Sequence, residues 1–361
     1  MTSFAHQAAQ LDTVALSAYL ERRLPSFQGP VTAEKTPTGQ SNPTFLLASP
    51  SGRYVLRKKP PGQLLKSAHA VDREYRVMRA LQDTGVPVPR MLILCEDDSV
   101  LGTAFFVMEF VDGNVFWDPS LPELNMAQRS KLYDEQNRAL AALHLVDPVK
   151  VGLADFGKAG SYFARQRDRW TKQYRASQTE HLPDMETLID WLVANEPPDD
   201  GRVSLVHGDY RIDNMIFKPD GSQLLAVIDW GLSTIGHPFS DLAYQCMQWR
   251  FPNHETMRGL ANVDRKALGI PTEQDYIAQY CARLGIADIP HWNFYLAFSF
   301  FRLAAIVQGV KKRGLEGNAS NPAKALESGE RVPLMARMGV AVISGAAEEA
   351  DMAHQPRAGP R

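Results

Sequence analysis

Cysteine is scarce in this chain: Cys95, Cys246 and Cys281 are odd in number, widely spaced and form no C-x-x-C pair. That leaves no sign of a disulfide framework or a zinc site and points to reduced, buried thiols. An excess of either charge is also missing. With a formal net charge of -2 over 361 residues, neither nucleic acid nor an anionic membrane is expected as a main partner. Met1 to Gln10 lack the basic start and apolar run of a signal peptide, which points to the cytoplasm. No apolar run of membrane-spanning length is free of polar groups. The nearest, Trp292 to Val310, contains Asn293, Arg302 and Gln308, which a bilayer tolerates poorly, so it reads as a buried core helix. No internal repeat or low-complexity segment is evident.

What is present suits a globular protein of two lobes, since 361 residues exceed a typical domain and 44% of them are hydrophobic. Asp12 can cap a first helix with Leu16, Tyr19, Leu20 and Leu24 on its inner face, ended before Gly29-Pro30. From Val31 to Lys59 short strands alternate with turns, so an antiparallel sheet is expected. A helix carrying Val71, Tyr75, Met78 and Leu81 follows and stops at Gly85, and Thr103 to Val111 reads as a buried strand. Beyond it the pattern turns helical over Met126 to Val146 and Tyr162 to Gln178, with a break at Pro197 to Gly201. The lobes are therefore expected at residues 1–111 and 112–347, with a polar, disordered tail at 348–361.

The chemistry concentrates in His207-Gly208-Asp209-Tyr210-Arg211-Ile212-Asp213-Asn214 and in Ile228-Asp229-Trp230. Apolar runs flank the first motif and precede the second, which allows Asp209, Asn214 and Asp229 to meet at the ends of a hairpin. His-Gly-Asp alone is a common turn, because Asp and Asn side chains bond nearby backbone. The spacing argues for more. Phosphoryl transfer needs one carboxylate to orient an attacking hydroxyl and accept its proton, and an amide and a second acid to hold Mg2+ on the phosphates. Asn214 stands five residues after Asp209, the interval of a kinase catalytic loop, and Asp229 takes the place of the following metal-binding acid.

At these residues, and at Gly236-His237-Pro238-Phe239-Ser240-Asp241-Leu242-Ala243-Tyr244, the chain resembles the aminoglycoside phosphotransferase and choline kinase family, closest to the branch also found fused to acyl-CoA dehydrogenases. The resemblance runs from about Gln40 to about Ser320 and implies an α+β, bilobal protein-kinase-like fold. Its small N-terminal lobe would be an antiparallel sheet with a helix, and its larger lobe mainly helical. The implied cofactors are ATP or GTP with Mg2+ on Asn214 and Asp229, with Asp209 as base and Arg211 neutralising charge on the transferring group. Ser41, Asn42 and Thr44 would lie over the phosphates or belong to a plain hairpin turn, and backbone groups from Glu109 to Val111 would meet the base or their strand serves the core alone. The strand lysine of kinases is replaced by Arg57, the preferred phosphate contact, with Lys58 on the opposite face as the other candidate, and Glu74 either pairs with Arg57 or belongs to a solvated face. His207 braces the loop rather than moving protons, and Asp241 supports it, caps a helix, or does both.

The acceptor is expected to meet the C-terminal third. Arg302 and Gln308 interrupt an apolar helix that leads to Lys311-Lys312-Arg313, so Arg302, Gln308 and Arg313 are candidate acceptor contacts. For Arg302 a structural ion pair is the competing reading. Resemblance to the fused branch implies a hydroxylated acyl-CoA, whose phosphates suit these cations; aminoglycosides, as polycations, would want acids. A non-catalytic nucleotide-binding scaffold is the alternative class, kept open by Arg57. A protein kinase is disfavoured by the missing A-P-E element, and a metal hydrolase by the lack of histidine ligands.

Overall fold

The computed structural model describes residues 11–36, 42–60, 70–254, 257–319 and 321–345. The turn at 37–41, with Ser41, and the tail at 348–361 lie outside them. The N-terminal part begins with α1 (Thr13–Arg23), started by the Asp12 carboxylate, which accepts from the Ala15 N–H at 2.9 Å. Strands β1 (Thr32–Lys35), β2 (Thr44–Ser49) and β3 (Gly52–Lys58) lead into α2 (Val71–Leu81), β4 (Met91–Cys95), the short α3 (Asp98–Leu101) and β5 (Phe105–Glu109). The sheet is antiparallel throughout, in the order β1-β2-β3-β5-β4.

Strand alternation divides this sheet between two helices. Leu47, Leu56, Phe105 and Val107 pack with Leu16, Tyr19 and Leu20 of α1, while Phe106 faces α2 and the main core. An 11-residue helix is marginal by itself. Its fully buried leucines, at about 1.5–3 kcal/mol each, hold it there. Arg57 pairs across the sheet with Phe106, so it stands on the α2 face, and Lys58 on the other.

The second part is mainly helical. After α4 (Met126–Leu145), α5 (Tyr162–Ser177) and α6 (Pro183–Ala194) come β6 (Ser204–Val206), β7 (Met215–Phe217), β8 (Leu224–Val227) and β9 (Thr234–Gly236). Then follow α7 (Phe239–Trp249), the small hairpin β10 (Asn253–His254) and β11 (Met257–Arg258), α8 (Arg265–Leu268), α9 (Glu273–Leu284), α10 (Trp292–Leu315), α11 (Pro322–Gly329) and α12 (Val332–Ile343). Strands β6 and β9 pair, as do β7 and β8. Helix α10 is long and apolar enough to cross a bilayer, yet 67% of its most apolar window is buried within the fold, against α5, α6, α7, α11 and α12. The antiparallel sheet lobe and helical lobe are those expected. Asp241 differs from a plain cap: α7 opens after Pro238 with no side-chain cap bond, and the Asp241 carboxylate turns toward the loop after β6.

Candidate active site

Leu205 and Val206 are fully buried, so β6 runs into the core and must turn sharply to leave it. Gly208 makes that turn at φ +84, and a Cβ there would lie 2.6 Å from the Leu232 carbonyl oxygen, so only glycine fits. The His207 and Gly208 N–H groups donate to the Asp241 carboxylate at 2.6 and 2.8 Å. Asp241 is fully buried, and His144 Nε2 stands 3.4 Å from it. The Asp209 N–H donates to His207 Nδ1 at 3.1 Å, and His207 Nε2 lies 2.9 Å from the Ile228 carbonyl oxygen. This network assigns the ring proton to Nε2. His207 thus ties the Asp209 loop to the residue before Asp229.

The Asp209 side chain remains 21% exposed. Asn214 Nδ2 donates to its Oδ2 at 2.9 Å and to its backbone oxygen at 2.9 Å. Arg211 Nε lies 3.5 Å from Asp209 Oδ1, and Arg211 Nη2 lies 3.0 Å from Asp213 Oδ2. Burial pushes the Asp209 carboxyl up, but the Arg211 charge and the Tyr244 and Asn214 hydrogen bonds bring it below its ordinary value. It is ionised at neutral pH and has one partly open side. For Asp213, burial and the neighbouring Asp209 outweigh Arg211 and raise its pKa.

Asn214 and Asp229 end the paired strands β7 and β8, and the Ile228 N–H donates to the Asn214 carbonyl at 2.9 Å. Asp229 is in the left-handed region, at φ 64. Arg57 reaches across from the sheet lobe, its Nη2 2.8 Å from Asp229 Oδ1 and its Nε 3.3 Å from Glu74 Oε2. Glu74 is only 2% exposed and accepts from Asn42 Nδ2 at 2.8 Å. Burial raises the Glu74 carboxyl to about 7, Asp229 adding to the shift against the Arg57 attraction. Burial lowers the pKa of Arg57, but the two carboxylates outweigh it and leave it raised. Lys58 Nζ donates to the Leu101 carbonyl at 2.9 Å on the opposite face. Helix α2 is fastened to the helical lobe: Arg73 Nη2 donates to Phe156 O at 2.7 Å, and Arg76 bonds Gly152 O at 2.8 Å and Asp155 at 3.0 Å.

The strip leaving β5 joins the lobes. Glu109 pairs with Arg90 at 3.3 Å, Val111 is half-buried, and Asn114 exchanges backbone hydrogen bonds with Phe217 at 2.8 and 2.9 Å. The strip therefore lies against the hairpin that carries Asn214 and Asp229.

Seen from the sequence, Asp209, Arg211 and Asn214 meet, and Arg57 and Glu74 gather at Asp229. Asn42 and Thr44 are used differently from a phosphate clasp: Asn42 is buried on Glu74, and the Thr44 hydroxyl donates to Asn42 O at 3.2 Å. Gln308 is a correction. It is 1% exposed and its amide donates to Ser177 O at 2.8 Å and Thr179 Oγ1 at 3.1 Å, tying α10 to the end of α5 instead of facing an acceptor. Arg313 is exposed on the last turn of α10. The ion pair entertained for Arg302 is absent among the described residues; its Nη2 donates to Gly208 O at 2.6 Å. Two residues escaped sequence reasoning: Asp213, which holds Arg211, and Tyr244, which bonds Asp209. Tyr244 was within reach, being one helical turn beyond Asp241.

Among the described residues no cluster of three His, Cys, Asp or Glu side chains could hold a metal. An ion between phosphate oxygens needs fewer protein donors, since Mg2+ is bound by one or two carboxylates with water and substrate oxygens. The residues fit that role. Asp229 is 45% exposed, Asn214 keeps its amide oxygen as a hard donor, and Asp229 with Glu74 outnumbers the single Arg57 guanidinium.

The family model described as Phosphotransferase enzyme family matches residues 32–274. Acyl-CoA dehydrogenase family member 10 of Mus musculus is 48% identical over 326 residues, covering 90% of this chain and 30% of that protein. Family member 11 of Rattus norvegicus is 43% identical over 330 residues, covering 90% and 42%. The chain thus spans well under half the length of these relatives. A crystal structure from Ralstonia eutropha JMP134, provisionally described as an aminoglycoside phosphotransferase, is 48% identical with a TM-score of 0.83, covering 95% of this chain and 99% of that one. Spectinomycin phosphotransferase in complex with ADP and spectinomycin is 14% identical with a TM-score of 0.63, covering 93% and 99%, a likeness of fold alone.

Proposed function

This chain belongs to the phosphotransferase enzyme family, and from that membership and the site geometry we propose a small-molecule kinase acting on an acceptor hydroxyl with ATP or GTP. The observation that carries the reading is the ionised Asp209, aimed by Asn214 and Arg211 and joined through His207 to the segment bearing Asp229. Asp209 orients the acceptor hydroxyl and takes its proton as the oxygen–phosphorus bond forms and the phosphoanhydride bond breaks, with the nucleoside diphosphate leaving. Arg211 offsets charge on the transferring group. Arg57 leaves Asp229 for a phosphate, and Glu74 keeps it directed. Asn214 and Asp229 would hold Mg2+, which neutralises phosphate charge when bound.

For the acceptor, the relatives named as acyl-CoA dehydrogenase family members favour a hydroxylated acyl-CoA. On α10, Lys311 pairs with Glu180 at 3.0 Å and Lys312 with Glu316 at 3.2 Å. Surface pairs of this kind are worth about 0–1 kcal/mol and exchange readily for phosphate, with Arg313 beside them. The test is phosphate transfer from Mg-ATP to hydroxyacyl-CoA thioesters and to aminoglycosides, run beside Asp209→Asn. We expect transfer to the thioesters, a fall on the order of 10²- to 10⁴-fold in the variant, and retained ADP binding. Transfer to aminoglycosides alone overturns the acceptor; a fully active Asp209→Asn overturns the mechanism.

A further inference from the structure

Arg302 has a setting that core packing does not explain. It lies on α10, 5% exposed, yet no carboxylate lies within 4.0 Å of it among the described residues. Its Nε has no partner among the described residues, and its guanidinium is 5.8 Å from the Trp170 ring centre and 5.5 Å from that of Tyr244. A buried cation is costly unless something is gained from its charge. Its one hydrogen bond among the described residues, from Nη2 to the Gly208 carbonyl at 2.6 Å, shows where that gain lies.

The Gly208 carbonyl belongs to the peptide that enters Asp209. The nitrogen of that same peptide donates to His207 Nδ1. The preceding peptide nitrogen, that of Gly208, is taken by Asp241 on α7. Gly208 therefore sits between an anion on its N–H and a cation on its carbonyl, from helices 61 residues apart in sequence by Asp241 and Arg302 numbering. A charged donor holds a carbonyl about twice as strongly as a neutral one, and the two rings keep the fork in place.

We infer that Arg302 is a positioning residue for phosphoryl transfer: it fixes the 208–209 peptide, and through it the direction of the Asp209 carboxylate, without touching nucleotide or acceptor. This goes beyond the kinase reading and rests on Asp209 being its base. Small misplacements are expensive, about 1 Å costing on the order of 100-fold.

The test compares Arg302→Lys, which keeps a charged donor, with Arg302→Met, which removes it, in the full chain. Rates are measured for transfer to any acceptor found in the panel and for release of phosphate from Mg-ATP with water as acceptor. We expect Arg302→Met to lower kcat on the order of 100-fold with the KM for ATP within about twofold, and Arg302→Lys to recover most of the loss. Hydrogen exchange over residues 205–212, read without any turnover, should quicken in Arg302→Met and stay unchanged in Asp209→Asn. Parental kcat in Arg302→Met with unchanged exchange, a KM for ATP that rises as kcat falls, or a Lys variant no better than Met overturns the inference. If the Met protein does not fold, the Lys protein decides by exchange and by the same split: faster exchange with a small fall in kcat at fixed KM supports it, and parental values overturn it. If Asp209→Asn is itself fully active, the kinase mechanism fails instead.

Discussion

The two acidic arms of the cleft are held by different means. Around Asp209 the backbone is gripped: Asp241 takes two N–H groups, Arg302 a carbonyl and His207 the N–H of Asp209 itself. Around Asp229 the contacts are between side-chain charges, with Arg57 shared by Glu74 and Asp229 across the two lobes. The first arm is closed and balanced. The second sets two carboxyls against one guanidinium, which suits a site awaiting a cation, and burial holds the Glu74 carboxyl up.

The comparison breaks most directly at Asp241. Asp241→Ala leaves the His207 and Gly208 N–H groups buried without acceptors, at about 1–3 kcal/mol each. Thermal melting should fall and turnover should drop on the order of 100-fold, while calorimetry shows ADP binding retained. Loss of ADP binding to the same degree would mean that the arms are not separately held.

A smaller effect is expected from Glu74→Gln. An unfolded glutamate ionises near its ordinary value of 4.5, whereas Glu74 in the fold holds its proton up to about 7. Its stabilising contribution is therefore complete below 4.5 and is lost as pH rises through 7. Without nucleotide, the parent should lose a few degrees of melting temperature across that window, about 2–4 °C per kcal/mol, and the variant should lose less. Equal slopes would show that Glu74 is ionised throughout and that burial does not hold its proton.

The smallest effect is assigned to Lys58→Met, which removes one hydrogen bond to Leu101 O, worth about 1 kcal/mol. Affinity for nucleotide, measured by fluorescence titration, should stay within about twofold of the parent. Arg57→Met should weaken it by more than about tenfold, as loss of a charge-assisted contact predicts. Equal effects would remove the distinction between the faces of β3.

Much of this was legible in the chain because it is local. Strand alternation separates Arg57 from Lys58, and the interval from Asp209 to Asn214 is short enough that one 3₁₀ turn, Ile212–Asn214, brings the amide back onto the acid. The helical periods of α4, α5 and α10 appear within a few residues of where they were expected. What could not be read depends on closure over long distances. Nothing near Gly208 announces a guanidinium 94 residues away, and a polar residue in an apolar helix looks the same whether it serves an acceptor, as was expected of Gln308, or the end of a neighbouring helix. Asp213 was passed over for a different reason: beside two more recognisable polar residues, its bond to Arg211 depends on how the turn presents it.

The fastening of α2 by Arg73 and Arg76 reaches beyond the cleft it frames. A helix bolted to the opposite lobe cannot drift outward to disable Glu74 without first surrendering those bonds. The protein consequently rests with Arg57 and Glu74 already gathered at Asp229, with no swing of this helix needed to bring them there.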